Sequence, residues 1–166
     1  MIDILKLSQK YNVRKMEDSD IESILNLCYG NTLFYKYCEA KPTKEQVLSD
    51  LRITPPNTAL ADKYYVGFDE SNTLVAVMDL IDGYPKPEIA YIGFFMMNTE
   101  YQGKQIGTSI IHEVTEYLRS IGKTSICLAI DKDNPQSNHF WKKNGFSVTN
   151  EVDRNGWVVL AAEKTL

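Results

Sequence analysis

The segment Tyr101-Gln102-Gly103-Lys104-Gln105-Ile106-Gly107-Thr108 holds the residue pattern richest in chemistry. It joins the apolar run Ile89–Met97 to a long amphipathic stretch, so it lies where a strand gives way to a helix. Four amides at a helix N-terminus have no internal partner, and they stand at the positive end of the helix dipole. Small residues let those amides face outward, which suits a phosphate or pyrophosphate. Lys104 adds a charge at the rim. Two readings stand side by side: an anion cradle, or an ordinary strand-to-helix turn whose glycines allow tight packing. The spacing is neither the GxxxxGKS/T of a P-loop nor the GxGxxG of a dinucleotide fold.

Other reactive side chains are sparse. Glu88 starts the strand leading to this segment and is either a general base at a cleft mouth, acting directly or through water, or a solvated strand-end carboxylate. Asp79 stands inside an apolar strand, so it must face solvent, find a partner or line a site. Tyr84 and Tyr91 are site walls or core residues; Glu88 and Tyr91 are the catalytic candidates. His112 falls on the polar face of the long helix and His139 on the exposed side of a shorter one. No Ser/His/Asp or Cys/His set emerges, and no metal site. Cys28, Cys38 and Cys127 are odd in number and widely spaced, which reads as reduced thiols in a cytoplasm, with Cys127 an inert small hydrophobe.

The 166 residues fit one domain spanning 1–166. With 43% hydrophobic and 24% charged residues, the chain is neither disordered, fibrous nor a disulfide-stapled miniprotein. The longest nearly apolar run, Ile89–Met97, is far short of the ~20 residues of a membrane helix, and the N-terminal residues do not read as a signal peptide. A net charge of −4 and a pI of about 5.2 argue against nucleic acid as the main partner. All the excess negative charge lies in residues 1–97. That is either a solvated acidic surface or an acidic acceptor site for a cationic amine.

Positioning the glycine segment takes a strand before it and a helix after it. A first strand is expected over Tyr11–Met16. Ser19-Asp20-Ile21-Glu22 reads as a capping box, and the helix behind it turns Ile21, Ile24, Leu25 and Cys28 to one face. Thr43-Lys44-Glu45-Gln46 opens another helix, with Val47, Leu48 and Leu51 inward and Pro55-Pro56 ending it. Tyr64–Phe68, Leu74–Ile81 and Glu88–Met97, joined by short polar turns, predict an antiparallel meander. A helix over 103–121 follows, with Ile106, Ile110, Ile111, Val114, Leu118 and Ile121 inward and Gly122 at its C-cap. Ser125–Ile130 completes a strand–helix–strand unit, so those strands run parallel with a right-handed crossover. Asn134-Pro135 supplies the N-cap and first-turn proline of a short helix ending at Asn144-Gly145. Phe146–Val152 and Trp157–Glu163 form a hairpin around Asn155-Gly156.

Two motifs within this order resemble those of the GNAT superfamily of N-acetyltransferases. The glycine segment is similar to the family's Q/R-x-x-G-x-G/A acyl-CoA motif through Gln102 and Gly107, with Gln105 in place of the middle glycine. Asn134 to Phe146 resembles the second motif, N-x-x-A/S-x-x-F/L-Y/W-x-x-x-G-F. The resemblance implies an α+β fold: a splayed mixed sheet of about six to seven strands, mostly antiparallel with one central parallel pair, flanked by about four helices. It implies acetyl-CoA as co-substrate and no metal. The pantetheine arm would bond main chain near Phe95, Met96 and Met97, and the pyrophosphate would rest on amides of Gln102, Gly103, Lys104, Gln105, Ile106, Gly107 and Thr108. Asn134, Ser137, Phe140 and Trp141 would flank the arm. An amine of a small molecule or peptide would attack the thioester directly. Trp141 stands where many members keep a tyrosine acid, and an indole cannot donate that proton. The alternative is a CoA-binding module with weak or lost catalysis. Neither nucleic acid nor membrane is implied as a partner, and there is room for a homodimer.

Overall fold

The computed structural model describes residues 1–166. Its strands are β1 (Asn12–Lys15), β2 (Lys63–Glu70), β3 (Thr73–Asp82), β4 (Ile89–Met97), β5 (Ser125–Asp131), β6 (Ser147–Arg154) and β7 (Trp157–Thr165). Its helices are α1 (Ile21–Gly30), α2 (Thr32–Lys36), α3 (Lys44–Asp50), α4 (Ile106–Ser120) and α5 (Pro135–Lys143). The strands form one seven-stranded sheet in the order β1-β2-β3-β4-β5-β7-β6. All neighbours are antiparallel except β4 and β5, which α4 connects. This is the expected mixed sheet, with the short helix α2 as an addition. The closing hairpin inserts its second strand against β5, leaving β6 as an exposed edge.

Both faces of the sheet carry helices, a different set on each. Ile110, Ile111, Val114 and Leu118 of α4 are buried against Leu80, Ile92 and Leu128. On the opposite face Ile24, Leu25 and Cys28 of α1 and Val47 of α3 pack on Tyr65, Val77 and Met96. The expected α4 stripe stops at Leu118. Ile121 is 40% exposed, because the helix ends at Ser120 and Gly122, at φ +86°, turns the chain so that the Lys123 amide returns to the Leu118 carbonyl. The first capping box is shifted by two residues: the Asp20 carboxylate accepts from the Glu17 amide at 2.9 Å, across a 3-10 turn that contains Ser19.

What positions the site is the shortness of the parallel pairing. β4 and β5 are in register only over Ile89–Ile92 and Ser125–Leu128. Beyond that β4 stays with β3 as far as Met97, while β5 stays with β7 as far as Asp131. Opposite Asp79 and Leu80, the register passes from Phe94 to Ile92 and leaves Gly93 as an extra residue. Such a bulge bends its strand. The central strands therefore part at Gly93 and Ala129.

At the closed end of the pair, Lys123 is bonded to Asp82, and both side chains are about a tenth exposed. Lys123 also donates to the Pro87 carbonyl at 2.6 Å, which joins the turn after β3 to the exit of α4. Burial pushes the Asp82 carboxyl up, but the Lys123 ammonium and the Met1 amino group, 3.3 Å away, together outweigh it and hold the group below its ordinary range. The stabilisation is therefore present above the unfolded pKa and lost as pH falls through the folded one. Asp82→Asn should lower the thermal midpoint at pH 7. In scans at stepped pH, its difference from wild type should vanish below the ordinary carboxyl range, ~4.

Candidate active site

Beside the free end of β4, past the point where the strands part, lies a cleft of about 330 Å³. It is lined by Phe95, Met96 and Met97 of β4, by Gln102, Gly103, Gln105, Ile106, Gly107 and Thr108 of the glycine segment, and by Ser137, Phe140 and Trp141 of α5. Most of the residues singled out from the sequence are thus brought together. Lys104 is outside the lining, its ammonium turned back onto the Glu100 carbonyl at 2.8 Å. Asn134 lies behind the lining, fully buried.

The glycine segment offers its main chain to the cleft. The first internal bond of α4 runs from the Ser109 amide to the Gln105 carbonyl at 3.0 Å. The six amides from Gly103 to Thr108 are taken by no other group of the protein. The Gln102 amide is already used, in a 3-10 turn to the Thr99 carbonyl at 3.3 Å. Gly103 (φ +72°) and Gln105 (φ +62°) both adopt the left-handed conformation that fans these amides out. Gly107 answers to packing as well: a Cβ there would stand 3.2 Å from Phe140 Cε2. At Gly107 the structure shows the tight packing, while the amides from Gly103 to Thr108 are left free as the anion-cradle reading requires.

Sequence reasoning missed Asn31. It is 6% exposed at the end of α1, and its Nδ2 donates to the carbonyls of Leu27 and Met97, each at 2.9 Å. Its Oδ1 accepts from Gln102 Nε2 at 2.6 Å. Gln102 is therefore a tether, fixing the glycine segment to the end of β4 and to α1. No local signal marks Asn31, because its partners are distant in sequence. Phe34, Gln136, His139 and Lys143 also line the cleft; the last three lie inside or beside the second motif.

The wall formed by α5 is aromatic. Phe140 stacks on Phe95 with centroids 5.9 Å apart, and Trp141 meets Phe140 and Phe146 edge-on, each at 5.0 Å. Trp141 is 8% exposed and packs, as its place in an apolar cluster requires. Asn134 caps α5 by accepting from the Ser137 amide at 3.0 Å, while its buried Nδ2 has no partner. A buried orphan donor costs ~1–3 kcal/mol until something accepts from it.

On the α1/α3 face, Lys63 Nζ donates to Asp79 Oδ2 at 2.6 Å, so Asp79 has found a partner rather than solvent. Tyr91 is half-buried and meets Tyr84 edge-on at 5.4 Å on that face. Glu88 is not brought to the cleft. It is exposed at the closed end of the pair, where its carbonyl accepts from Thr124, five residues before the strands part. Cys127, expected in the interior, is half-buried, and Cys28 is buried; burial pushes both thiols up.

Residues 21–146 match the acetyltransferase (GNAT) family. The chain is 24% identical over 153 residues to spermidine N(1)-acetyltransferase of Thermoplasma acidophilum, covering 82% of this chain and 88% of that protein. Among solved structures, an acetyltransferase of Thermus thermophilus superposes with a TM-score of 0.74 at 18% identity, covering 95% of this chain and 97% of the other. The PaiA N-acetyltransferase of Thermoplasma acidophilum, solved in complex with coenzyme A, gives 0.68 at 19% identity, with coverage of 93% and 98%.

Gln105 holds a backbone conformation that costs a side-chain-bearing residue ~1–2 kcal/mol and glycine almost nothing. Its side chain returns little, an exposed bond from Lys143 at 2.8 Å. Gln105→Gly should raise the urea midpoint, with a net gain of about 0.5–1 kcal/mol after the glycine's extra chain entropy and an unchanged m-value.

Proposed function

The chain belongs to the acetyltransferase (GNAT) family and is an N-acetyltransferase drawing its acyl group from acetyl-CoA, and we propose that its acceptor is a primary amine of a small molecule or peptide that attacks the thioester directly. The reading rests on one arrangement: a stretch of β4, Gly93–Met97, with no neighbouring strand on the β5 side, that runs toward six unpaired amides at the start of α4. A pantetheine arm carries amide groups able to bond that edge, and a pyrophosphate suits the amides. Asn134, whose Nδ2 is buried without a partner, stands behind this lining at the start of α5. These residues fit acetyl-CoA.

With both substrates held, most of the rate comes from positioning and from main-chain dipoles that polarise the thioester carbonyl. The attacking nitrogen displaces coenzyme A as a thiolate, a leaving group that needs little help because thiols ionise near ~8.5. That accounts for activity without a tyrosine at Trp141. The excess acid of residues 1–97 favours a cationic acceptor, and the relative from Thermoplasma acidophilum is a spermidine acetyltransferase. A polyamine leads the candidates. A CoA-binding module with weak or lost catalysis is the second reading, favoured by Gln105 and Trp141.

A thiol-release assay with polyamines, aminoglycosides, amino acids and peptides separates the two. Release with at least one amine supports the transferase; saturable acetyl-CoA binding with no release supports the module. Gly107→Val should weaken acetyl-CoA binding about tenfold or more in calorimetry, because valine drives Phe140 into the cleft and crowds the amides. Trp141→Phe should keep turnover within about tenfold of wild type, since it removes packing and no proton donor.

A further inference from the structure

The face of the sheet opposite α4 has an opening at its centre. Gly93 and Ala129, on the two middle strands where they part, are both exposed, whereas Ile92 and Leu128 beside them are buried under α4. Exposure on the central strands of a seven-stranded sheet means that no element covers this spot. The cradle lies past one end of the parted edge, beyond Met97, and Gly93 stands at the other. A thioester carried along that edge comes to its end here, and the uncovered face is where an acceptor can meet it.

One ionisable group lies beneath that opening. The Asp79 carboxylate fills the place of the side chain that Gly93 lacks: a Cβ at Gly93 would fall 2.6 Å from Asp79 Oδ2. Lys63, its own side chain 1% exposed, holds Oδ2, while Oδ1 is buried with no partner. Asp79 is 9% exposed, so the carboxylate is shielded without being sealed. The groups that face it are Lys63 and Tyr65 from β2, Asp50 from α3 and Tyr91 from β4. Only Lys63 is a cation.

We propose that Asp79 is the general base of the transfer, accepting a proton from the acceptor ammonium as it settles over Gly93. The assignment rests on the transferase reading above. The ammonium N–H bond breaks and its proton passes to the carboxylate, freeing the nitrogen lone pair. That pair forms the bond to the thioester carbon, the C–S bond breaks, and sulfur leaves as a thiolate. The new amide nitrogen gives its extra proton to the thiolate, and Asp79 later releases its own to water. Burial pushes the Asp79 carboxyl up, Lys63 pulls it part of the way back and Asp50 adds to the rise, so that the group settles at about 6. The group is thus ionised at neutral pH yet a better proton acceptor than a solvated carboxylate.

The experiment is turnover against pH for wild type, Asp79→Asn, Asp79→Glu and Lys63→Gln, using each amine that wild type acetylates in the panel above. Acetyl-CoA affinity, measured by calorimetry, should stay unchanged in all variants and shows that they fold. In Asp79→Asn, kcat should fall about 10²-fold at pH 7 with KM within a few-fold, and should recover as pH approaches the amine's own pKa, ~10. Asp79→Glu should restore part of the loss. Lys63→Gln keeps the carboxylate without its cation, so the rising limb near pH 6 should move to higher pH. It is also the second variant should Asp79→Asn not fold. A purely structural ion pair would alter stability or KM and leave that limb in place. Wild-type turnover in Asp79→Asn, or an unmoved limb in Lys63→Gln, overturns the assignment alone. Failure of wild type to release thiol with any amine overturns the transferase reading, and the assignment with it.

Discussion

Four rungs of parallel ladder between Ile89–Ile92 and Ser125–Leu128 are the constraint on which the rest of the molecule depends. Main-chain donors and acceptors away from water need partners, and a strand normally finds them on both sides. Past Gly93, β4 has β3 on one side and no strand on the other. Several features keep it so. The bulge at Gly93 bends β4, the β7 pairing holds β5 along its whole length, and the Phe95–Phe140–Trp141–Phe146 cluster occupies the space beside α5. A sheet that closed here would satisfy its own edge and leave no place for an arm with amide groups. The opening is a standing vacancy in the hydrogen-bond ladder, and its chemistry follows from the groups left along it.

The two ends of that vacancy are built differently. At the Met97 end, everything is tied: Asn31 accepts from Gln102 and donates to the Met97 and Leu27 carbonyls, so α1, β4 and the glycine segment move as one piece. This rigidity lets six amides be aimed without side-chain help. A left-handed Gln105 is the strain accepted for that aim, in a conformation that glycine would hold at almost no cost. At the Gly93 end, small residues and one half-satisfied carboxylate leave room. A preformed cradle fits a ligand of constant shape, whereas an open floor suits an acceptor that must arrive, react and leave.

What the sequence made legible was local. The α4 stripe as far as Leu118, the Asn134-Pro135 cap and the hairpin at Asn155-Gly156 depend on residues within a few positions of each other, and all three stand in the structure. Gly107 was legible as a small residue, but its reason, the Phe140 ring, comes from α5. The Asn31 junction was invisible, since it joins residues 66 and 71 positions apart with no spacing rule to link them. Glu88 drew notice as the first residue of the central strand. Nothing in a sequence says which end of a parallel pair parts, and it is the other end that does. The capping box misled for a similar reason: Ser19 and Glu22 have the right spacing, but Asp20 bonds Glu17 first.

Asp79 was legible as an anomaly, a carboxylate in an apolar strand, and the structure answers only half of it by supplying Lys63. A buried ion pair is a poor device for stability, because removing both charges from water costs about as much as their attraction returns. Two apolar residues at 63 and 79 would join β2 to β3 as well or better. The pair also leaves Oδ1 unpartnered, which a purely structural pair has every reason to avoid. It sits beneath the point where the central strands separate, under a glycine whose missing side chain makes the room. Burial that disfavours the charge, a single cation that prevents complete neutralisation, and an oxygen with no partner together make a carboxylate ready to take a proton. Stability does not require such a group, but transfer from an ammonium does.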